Sequence, residues 1–469
     1  MANNKGEIHM SEERTLERGL KNRHVQLIAI GGAIGTGLFL GSGKSIHLAG
    51  PSILFAYTIT GIICFLIMRA LGELLLSNLN YHSFVDFVFD YLGNGAAFVT
   101  GWTYWFCWIS IAMADLTAVG LYTQFWFPNV AQWVPGLIAL VILLVMNLAT
   151  VKLFGEMEFW FALIKVIAIL ALIIVGTFMI IKGFSTDAGA SSFTNLWSHG
   201  GWFPNGASGF ILSFQMVVFA FVGIELVGLM AGETKDPEKV IPKAINNIPI
   251  RIIIFYIGAL IVIMSIYPWN DINPAQSPFV QVFAALGIAA AAAIVNFVVL
   301  TSAASACNSA VFSTSRMVYS LAKEKNAPYP MTKLTSHKVP ANALFFSTIV
   351  ILIAVILNYV MPEGVFTLIT SISTVCFLYI WGITVICHMK YRKTRPELAA
   401  KSKFKMPLYP VANYVILAFL AFILVVLALA EDTRVALFVT PVWFVLLVGI
   451  YFIRKARGQK QEQNATDLD

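Results

Sequence analysis

Twelve long apolar segments are the feature of this sequence that most restricts the folds open to it. A helix needs about 20 consecutive apolar residues to cross the hydrocarbon core of a bilayer. In lipid the backbone polar groups must bond one another, which a helix achieves within a single segment. The sequence therefore predicts an all-α polytopic membrane protein with twelve transmembrane helices. The predicted spans lie near residues 25–48, 52–78, 96–127, 131–150, 156–182, 205–231, 247–268, 285–320, 341–360, 363–388, 408–430 and 434–453.

Composition and motifs exclude several other classes of protein. Hydrophobic residues make up 58% of the chain and charged residues 12%, which is far from the composition of an ordinary soluble domain. The five cysteines are scattered, and neither CxxC nor HExxH spacing occurs, so we expect no metal site and no cofactor. The sequence has no Walker-type phosphate loop and no nucleophile–base pair that would indicate an enzyme.

The distribution of the 31 Lys and Arg residues predicts the orientation of the spans. Most of them lie in the two terminal segments and in the loops after the sixth, eighth and tenth spans. The loops of the opposite side contain only Lys44, Lys182 and Arg434. Because cytoplasmic loops carry the excess of Lys and Arg, both termini are predicted to be cytoplasmic. The net charge of +7 follows from this asymmetry and gives no reason to expect nucleic acid as a partner.

The first span contains a cluster of glycines that is unusual for a transmembrane helix. Its sequence reads "GGAIGTGLFL" over residues 31–40. Glycine is about 1 kcal/mol less favourable than alanine inside a helix, so a cluster at Gly35, Thr36 and Gly37 favours a break in the helix. A helix that restarts at mid-bilayer points free N–H groups at an anion, while the carbonyls that precede the break point at a cation. An amino acid carries one charge of each kind.

A second break is predicted by symmetry. If the chain consists of inverted repeats of five helices, the counterpart of the first span is the sixth. The sixth span reads "FAFVGIELVGLMAGETKDPEKVIPKAI", in which Gly223 is followed by an acidic residue, Glu225, inside the apolar segment. The sequence thus predicts discontinuous helices in both the first and the sixth spans.

Three segments carry a resemblance to a known family. "GGAIGTGLFLGSG", "FVGIELVGLMAGETKDPEKVIPKAI" and "FSTSRMVYSLAKEKNAPYPMTKLTSHKVP" resemble the signature segments of amino acid permeases in the amino acid–polyamine–organocation superfamily. Within that family, "WTYWFCWISIAMADLTAVGLYTQFWFP", "NLATVKLFGEMEFWFALIK" and "EDTRVALFVTPVWF" are most similar to bacterial members that carry D-serine, D-alanine and glycine. The resemblance implies a five-plus-five inverted repeat with two extra helices, and import of an amino acid together with a proton.

The resemblance also implies which groups bind the substrate. The main-chain amides of Gly35, Thr36 and Gly37 would hold its carboxylate. The ring of Phe219 would close over it from the outside. The main-chain carbonyls that would hold its ammonium group belong to Ala33, Phe219 and Val222. These contacts recognise the backbone of an amino acid and leave its side chain to the wall of the pocket.

Three charged residues inside the spans are candidates for proton coupling or gating, because a charge at the centre of a membrane helix costs roughly 2.5–3.5 kcal/mol. The resemblance places Lys165 where related symporters hold sodium, and the alternative is a structural lysine bonded to carbonyls. Glu225 either takes up a proton or bonds backbone amides that the break frees. Asp115 either contacts the substrate or titrates, unless it only bonds a neighbouring helix.

The predicted organisation has four parts: a cytoplasmic N-terminal tail (1–24), a ten-helix transport core (25–388), a cytoplasmic loop with the last two helices (389–453), and a cytoplasmic C-terminal tail (454–469). We expect a multi-pass protein of the bacterial cell membrane that imports small neutral amino acids, including D-alanine, D-serine and glycine, with protons. Two alternatives stay open: the same fold with an aromatic, basic or proline-like substrate, and a membrane sensor that binds an amino acid without moving it.

Overall fold

A computed structural model describes residues 34–81, 83–149, 151–225, 236–285, 287 and 289–466 of the protein. The predicted N-terminal tail and the candidate Ala33 lie outside these residues. The helices of the first half are α1 (Thr36–Phe39), α2 (Gly41–Ala49), α3 (Ile53–Ser77), α4 (Phe84–Leu92), α5 (Asn94–Thr123), α6 (Trp133–Ala149), α7 (Val151–Lys182) and α8 (Gly206–Phe219).

The second half is built in the same way from long apolar helices and short connections. Its helices are α9 (Pro237–Asn246), α10 (Ile248–Arg251), a π-helical segment (Ile252–Gly258), α11 (Ala259–Ile266), α12 (Pro278–Ala285), α13 (Ala289–Lys323), α14 (Ala341–Val360), α15 (Val365–Thr394), α16 (Pro396–Lys401), α17 (Val411–Leu429) and α18 (Val435–Thr466). Short 3₁₀ turns occupy Gly50–Ser52, Phe193–Leu196, Trp269–Asp271 and Tyr329–Thr332.

The helical membrane fold is confirmed. Within the described part of the chain, nine helical stretches are long and apolar enough to cross a membrane, and two shorter apolar helices, α6 and α8, lie in the fourth and sixth predicted spans. One of the nine stretches joins α2 to α3 through the turn at Gly50–Ser52. Each of the twelve predicted spans therefore contains a helix, with the first span described from Ile34 onward.

The outer surface of the bundle is apolar along its helices. On α7, for example, Ile174 is 69% exposed, Phe178 60% and Ile181 72%. A contiguous exposed apolar surface of this kind is unfavourable in water and indicates contact with lipid. Helix α5 is largely enclosed by the bundle and contacts α6, α13, α14, α15 and α18.

Three details add to the sequence prediction. Two short antiparallel strands, β1 (Ser185–Thr186) and β2 (Gly189–Ala190), follow α7 in the otherwise helical fold. The seventh span contains the π-helical segment, a local widening that hydrophobic periodicity cannot detect. Helices α15 and α18, which contain the tenth and twelfth predicted spans, continue beyond the predicted apolar ends at residues 388 and 453. Polar residues can extend a helix into water once its backbone hydrogen bonds are made. Orientation, repeat symmetry and the four-part division stay predictions.

Candidate functional site

The start of α1, here called the first break, lies where the glycine cluster predicts a break, and the residues before Ile34 lie outside the described part of the chain. Gly35 is extended, with φ −131° and ψ −163°, and α1 begins at Thr36 directly after it. Leu38 donates the first backbone hydrogen bond of this turn to the Gly35 carbonyl, at 3.1 Å. The amides of Thr36 and Gly37 precede that bond, so they belong to the N–H groups that a helix start leaves for other acceptors. Such N–H groups are available to an anion.

The second break begins slightly earlier than Gly223. Helix α8 ends at Phe219, and residues 220–225 continue as turns. Gly223 has φ +90°, a conformation that residues with a side chain rarely adopt. Within this segment Val222 donates to the Phe219 carbonyl at 3.1 Å, and Ile224 donates to the Phe221 carbonyl at 3.3 Å. The carbonyls near the end of α8 therefore no longer follow the bonding pattern of an α-helix.

The two breaks are in direct contact. A Cβ atom added to Gly37 would lie 2.6 Å from the Cα of Ala220 and 3.2 Å from the ring of Phe219. Only a residue without a side chain allows the backbones to approach this closely. Anything larger at position 37 would force the first and sixth spans apart.

A cavity lies at this contact. Both breaks, two apolar side chains and two carboxylates line it. The lining residues are Gly35, Thr36 and Gly37 from the first break; Phe219, Ala220, Val222 and Gly223 from the second; and Trp108, Ile111, Asp115, Glu158, Ala306 and Ser309 from α5, α7 and α13. Five of the six predicted substrate contacts are therefore gathered around one space, and the sixth, Ala33, lies outside the described residues.

Phe219 lies at the edge of this cavity with its ring packed edge-on against Phe366 of α15. The ring centroids are 6.3 Å apart and the planes meet at 87°. The side chain is only 3% exposed, so the ring is enclosed between the cavity and α15. The proposed role of this ring as a cover over the substrate stays a prediction.

Asp115 of α5 is joined to the first break. The hydroxyl of Thr36 donates a 2.9 Å hydrogen bond to its Oδ1 atom, and Asp115 also lines the cavity. Its other oxygen, Oδ2, has no hydrogen-bond partner among the described residues. The bond to a neighbouring helix, one of the alternatives that the sequence left open, is thus observed, while substrate contact and titration by Asp115 stay predictions.

Lys165 and Glu225 are buried but do not line the cavity. Lys165 is 1% exposed and interacts electrostatically with Asp115 and with Glu158. Glu225 is 2% exposed, and its Oε2 atom accepts a long hydrogen bond, 3.4 Å, from the indole of Trp381. Of the three predicted coupling residues, only Asp115 therefore reaches the space between the breaks.

Glu158 is the site residue that the sequence prediction missed. Its side chain is fully buried, lines the cavity, and accepts a hydrogen bond of 2.9 to 3.0 Å from Ser305 of α13. It precedes Lys165 by seven residues on α7, so the two lie on one helix face about 10 Å apart along the axis. That spacing in "EMEFWFALIK" is the signal that could have identified it.

The polar residues of the eighth span have mixed roles. Ser305 contacts Glu158, while Asn308 accepts a 2.8 Å hydrogen bond from Asn147 of α6 and so joins two helices. All five cysteines are buried and unpaired. In the described portion of the chain, no group of three or more His, Cys, Asp or Glu side chains is placed to hold a metal ion.

Comparison with known proteins gives one family for nearly the whole chain. The family model "Amino acid permease" matches residues 24–464. An uncharacterized transporter of Bacillus subtilis, YdgF, is 83% identical over 447 residues, which are 95% of this chain and 98% of the relative. The amino-acid permease AapA of the same organism is 74% identical over 460 residues, 98% of this chain and all of the relative.

A more distant relative has a more specific name. The D-serine/D-alanine/glycine transporter of Escherichia coli K12 is 57% identical over 450 residues, which are 95% of this chain and 96% of the relative. These relatives are named as transporters and permeases rather than as enzymes.

Proposed function

This chain belongs to the amino acid permease family, and from that premise we propose that it imports small neutral amino acids, among them glycine, D-alanine and D-serine, together with protons. The observation that carries the proposal is the contact between the two breaks, which places free amides and irregular carbonyls around one cavity. We place the protein in the bacterial cell membrane with both termini in the cytoplasm.

The carboxylate of the substrate binds at the first break in this proposal. The amides of Gly35, Thr36 and Gly37 lie at the start of a helix, where backbone N–H groups and the helix dipole both favour negative charge. The hydroxyl of Thr36 donates to Asp115, so its amide is the group left for the substrate.

The ammonium group binds at the second break. The carbonyls of Phe219 and Val222 lie in the segment that leaves α-helical geometry, and each carbonyl oxygen has two lone pairs. The Phe219 carbonyl therefore retains one acceptor site beside its bond from Val222. We assign the same role to the Ala33 carbonyl from the family resemblance.

The cavity wall supports a small side chain on the substrate. Trp108 and Ile111 of α5 contribute apolar side chains to the cavity wall, and Ala306 and Ser309 of α13 contribute small ones. The 57% identity to a transporter named for D-serine, D-alanine and glycine supports the same substrate class. Because the proposed polar contacts are to main-chain atoms, inversion at the α-carbon is expected to matter less than removal of either charged group.

Proton coupling is assigned to the buried charges beside the cavity. Lys165 interacts electrostatically with Glu158 and Asp115, and Asp115 is bonded to Thr36 at the substrate site. A proton that moves within this group changes the charge next to the first break. Substrate and proton then favour the same conformational change, since a ligand shifts an equilibrium only by its differential affinity for the two states.

Uptake of labelled glycine into proteoliposomes tests the proposal. A pH gradient, acidic outside, should drive accumulation, and its collapse by a protonophore should remove accumulation but leave counterflow. Both enantiomers of alanine should compete within about tenfold, or about 1.4 kcal/mol. Ethanolamine and propionate should fail to compete. Strong rejection of D-alanine would contradict the substrate class, and glycine binding without any uptake would indicate a sensor.

The variant Lys165→Ala tests the coupling assignment separately. It should lose accumulation driven by the pH gradient and keep counterflow, because the substrate contacts are elsewhere. Lys165→Arg, which stays charged, should also fail to accumulate glycine. If Lys165→Ala still concentrates glycine, another group carries the proton, and Glu158, Asp115 and Glu225 are the next to substitute.

A further inference from the structure

We propose that Tyr256, in the π-helical segment of the seventh span, is a positioning residue for the ammonium end of the site. The inference rests on the proposed function and deepens it. The hydroxyl of Tyr256 donates a 3.1 Å hydrogen bond to the main-chain carbonyl of Ala220, a residue that lines the cavity. This bond holds the second break in the shape that presents the neighbouring carbonyls to the substrate.

The bonding pattern of the break explains why Ala220 needs such a partner. In a continuous helix its carbonyl would accept from the amide of residue 224. Ile224 donates instead to the Phe221 carbonyl, at 3.3 Å. The Ala220 carbonyl thus loses its helical donor at the point where α8 ends, and a buried carbonyl without a donor is costly in lipid. Tyr256 supplies the missing bond from another span.

Stacking fixes the position of the Tyr256 hydroxyl. Its ring lies parallel to that of Phe221, with centroids 5.0 Å apart and 8° between the planes. Phe221 is 1% exposed and Tyr256 is 2% exposed, so neither ring is free to move into solvent. The unwound segment is therefore held by a side-chain stack at residue 221 and by a hydrogen bond at residue 220. Tyr256 makes both of these contacts.

The consequence for the site concerns the turn that carries the carbonyls proposed to bind the ammonium group. Ala220 lies between Phe219 and Val222, whose carbonyls are proposed to hold the ammonium group. The bond to Tyr256 fixes the Ala220 carbonyl, and with it the shape of the turn that carries the two neighbouring carbonyls. Loss of the hydroxyl would free this carbonyl and loosen the turn, which weakens and broadens recognition of the ammonium group without touching the carboxylate end.

Tyr57 of α3 offers a matched control. Its ring contacts both Phe221 and Tyr256, at centroid distances of 5.9 and 5.7 Å, and it is fully buried. In the described part of the structure its hydroxyl has no hydrogen-bond partner. Tyr57→Phe therefore removes the same atom from the same aromatic cluster without removing the bond to the break.

The experiment compares Tyr256→Phe with Tyr57→Phe in glycine uptake by proteoliposomes, after melting midpoints have been measured in detergent. We expect Tyr256→Phe to raise the KM for glycine about fivefold, as a net hydrogen bond allows, with a smaller change in maximal rate. Tyr57→Phe should leave KM unchanged. The preference for glycine over N-methylglycine, measured by competition, should fall in Tyr256→Phe only.

The outcomes separate this inference from the proposed function. If the wild-type protein neither binds nor takes up glycine, the proposed function is wrong and the assignment of Tyr256 fails with it. If the wild type transports glycine and the two variants have the same KM, only the assignment of Tyr256 is overturned. A Tyr256→Phe protein that loses its folded state while Tyr57→Phe keeps it would assign the bond to folding and would also overturn the proposal.

Discussion

Two regions of this molecule bury carboxylates in different ways. At one end of α3, Glu73 is fully buried, and its Oε2 atom accepts bonds from His388 at 3.0 Å, from the guanidinium of Arg392 at 2.9 Å, and from the backbone amide of Met406 at 2.7 Å. Its Oε1 atom forms an ion pair with the Nε atom of Arg392 at 2.8 Å. Beside the cavity, Asp115 is equally buried but accepts only from a threonine hydroxyl among the described residues, and its second oxygen has no partner there.

The partners of Glu73 join distant parts of the chain. His388 and Arg392 belong to α15, and Met406 lies in the segment before α17. Asn413 of α17 donates a 3.0 Å bond to the Nδ1 atom of His388, so its Nε2 atom carries the proton that reaches Glu73. The carboxylate of Glu73 thus joins α3, α15 and the segment before α17 through charge-assisted hydrogen bonds, which are about twice as strong as neutral ones.

The comparison shows that burial alone does not separate a structural charge from a functional one. Glu73 is surrounded by donors in fixed geometry, so a change in its charge would disrupt the fold. Asp115 and Glu158 have hydroxyl partners and line the cavity between the breaks. A carboxylate in that situation can change its charge or its partner while the helices around it stay packed.

The largest effect is expected at Glu73. Removing one partner of a buried ion pair typically costs about 3–5 kcal/mol, because it leaves an uncompensated charge. Glu73→Ala should therefore lower the melting midpoint in detergent and the yield of monodisperse protein more than any substitution at the cavity. Glu73→Gln, which keeps acceptors for two of the donors, should fall between it and the wild type. Normal stability of Glu73→Ala would remove the distinction between the regions.

Asp115→Asn is expected to reduce glycine uptake while leaving the melting midpoint almost unchanged. The amide oxygen can still accept from Thr36, so the melting midpoint should stay close to that of the wild type. Glycine uptake should fall at least about tenfold, or about 1.4 kcal/mol, because the charge beside the first break is gone. Thr36→Ser, which retains the hydroxyl, serves as the control and should transport. Loss of folding with Asp115→Asn would place Asp115 in the same class as Glu73.

A smaller effect is expected at the hydroxyl that contacts Glu158. Ser305→Ala removes that bond, and we expect glycine uptake to fall about threefold as the carboxylate loses its fixed orientation. Ser302→Ala, one turn earlier on α13, is the matched control, since its buried hydroxyl has no partner among the described residues. Equal uptake rates in the two variants would indicate that the orientation of Glu158 does not matter.

The smallest effect is expected at an exposed ion pair. Lys44 of α2 pairs with Asp432, whose side chain is 53% exposed. Exposed pairs contribute less than about 1 kcal/mol, since water screens them. Asp432→Ala should accordingly change neither the melting midpoint nor glycine uptake by a measurable amount at 0.15 M salt. A loss comparable to that of Glu73→Ala would show that exposure is a poor guide to the role of a charge in this protein.

The sequence predicted those features that depend on local residue type. Apolar length identifies the spans, and glycines identify the breaks at Gly35 and near Gly223. Contacts between distant residues could not be predicted in this way. Thr36 and Asp115 are 79 positions apart, and Tyr256, which lies in the π-helical segment, is 36 positions from Ala220. Glu158 was missed because it lies close to Glu156 near the start of an apolar helix, where a charge resembles an interfacial residue unless its spacing from Lys165 is considered.

The most direct test of the central claim, that the contact between the breaks is the substrate site, is equilibrium binding of labelled glycine to purified Gly37→Ala. The added methyl would lie 2.6 Å from the Cα of Ala220, so affinity should fall at least about tenfold in protein that remains folded. Gly382→Ala, whose Cβ would meet only Leu420 at 3.7 Å, should bind as the wild type does. Wild-type affinity in a folded Gly37→Ala protein would contradict the account.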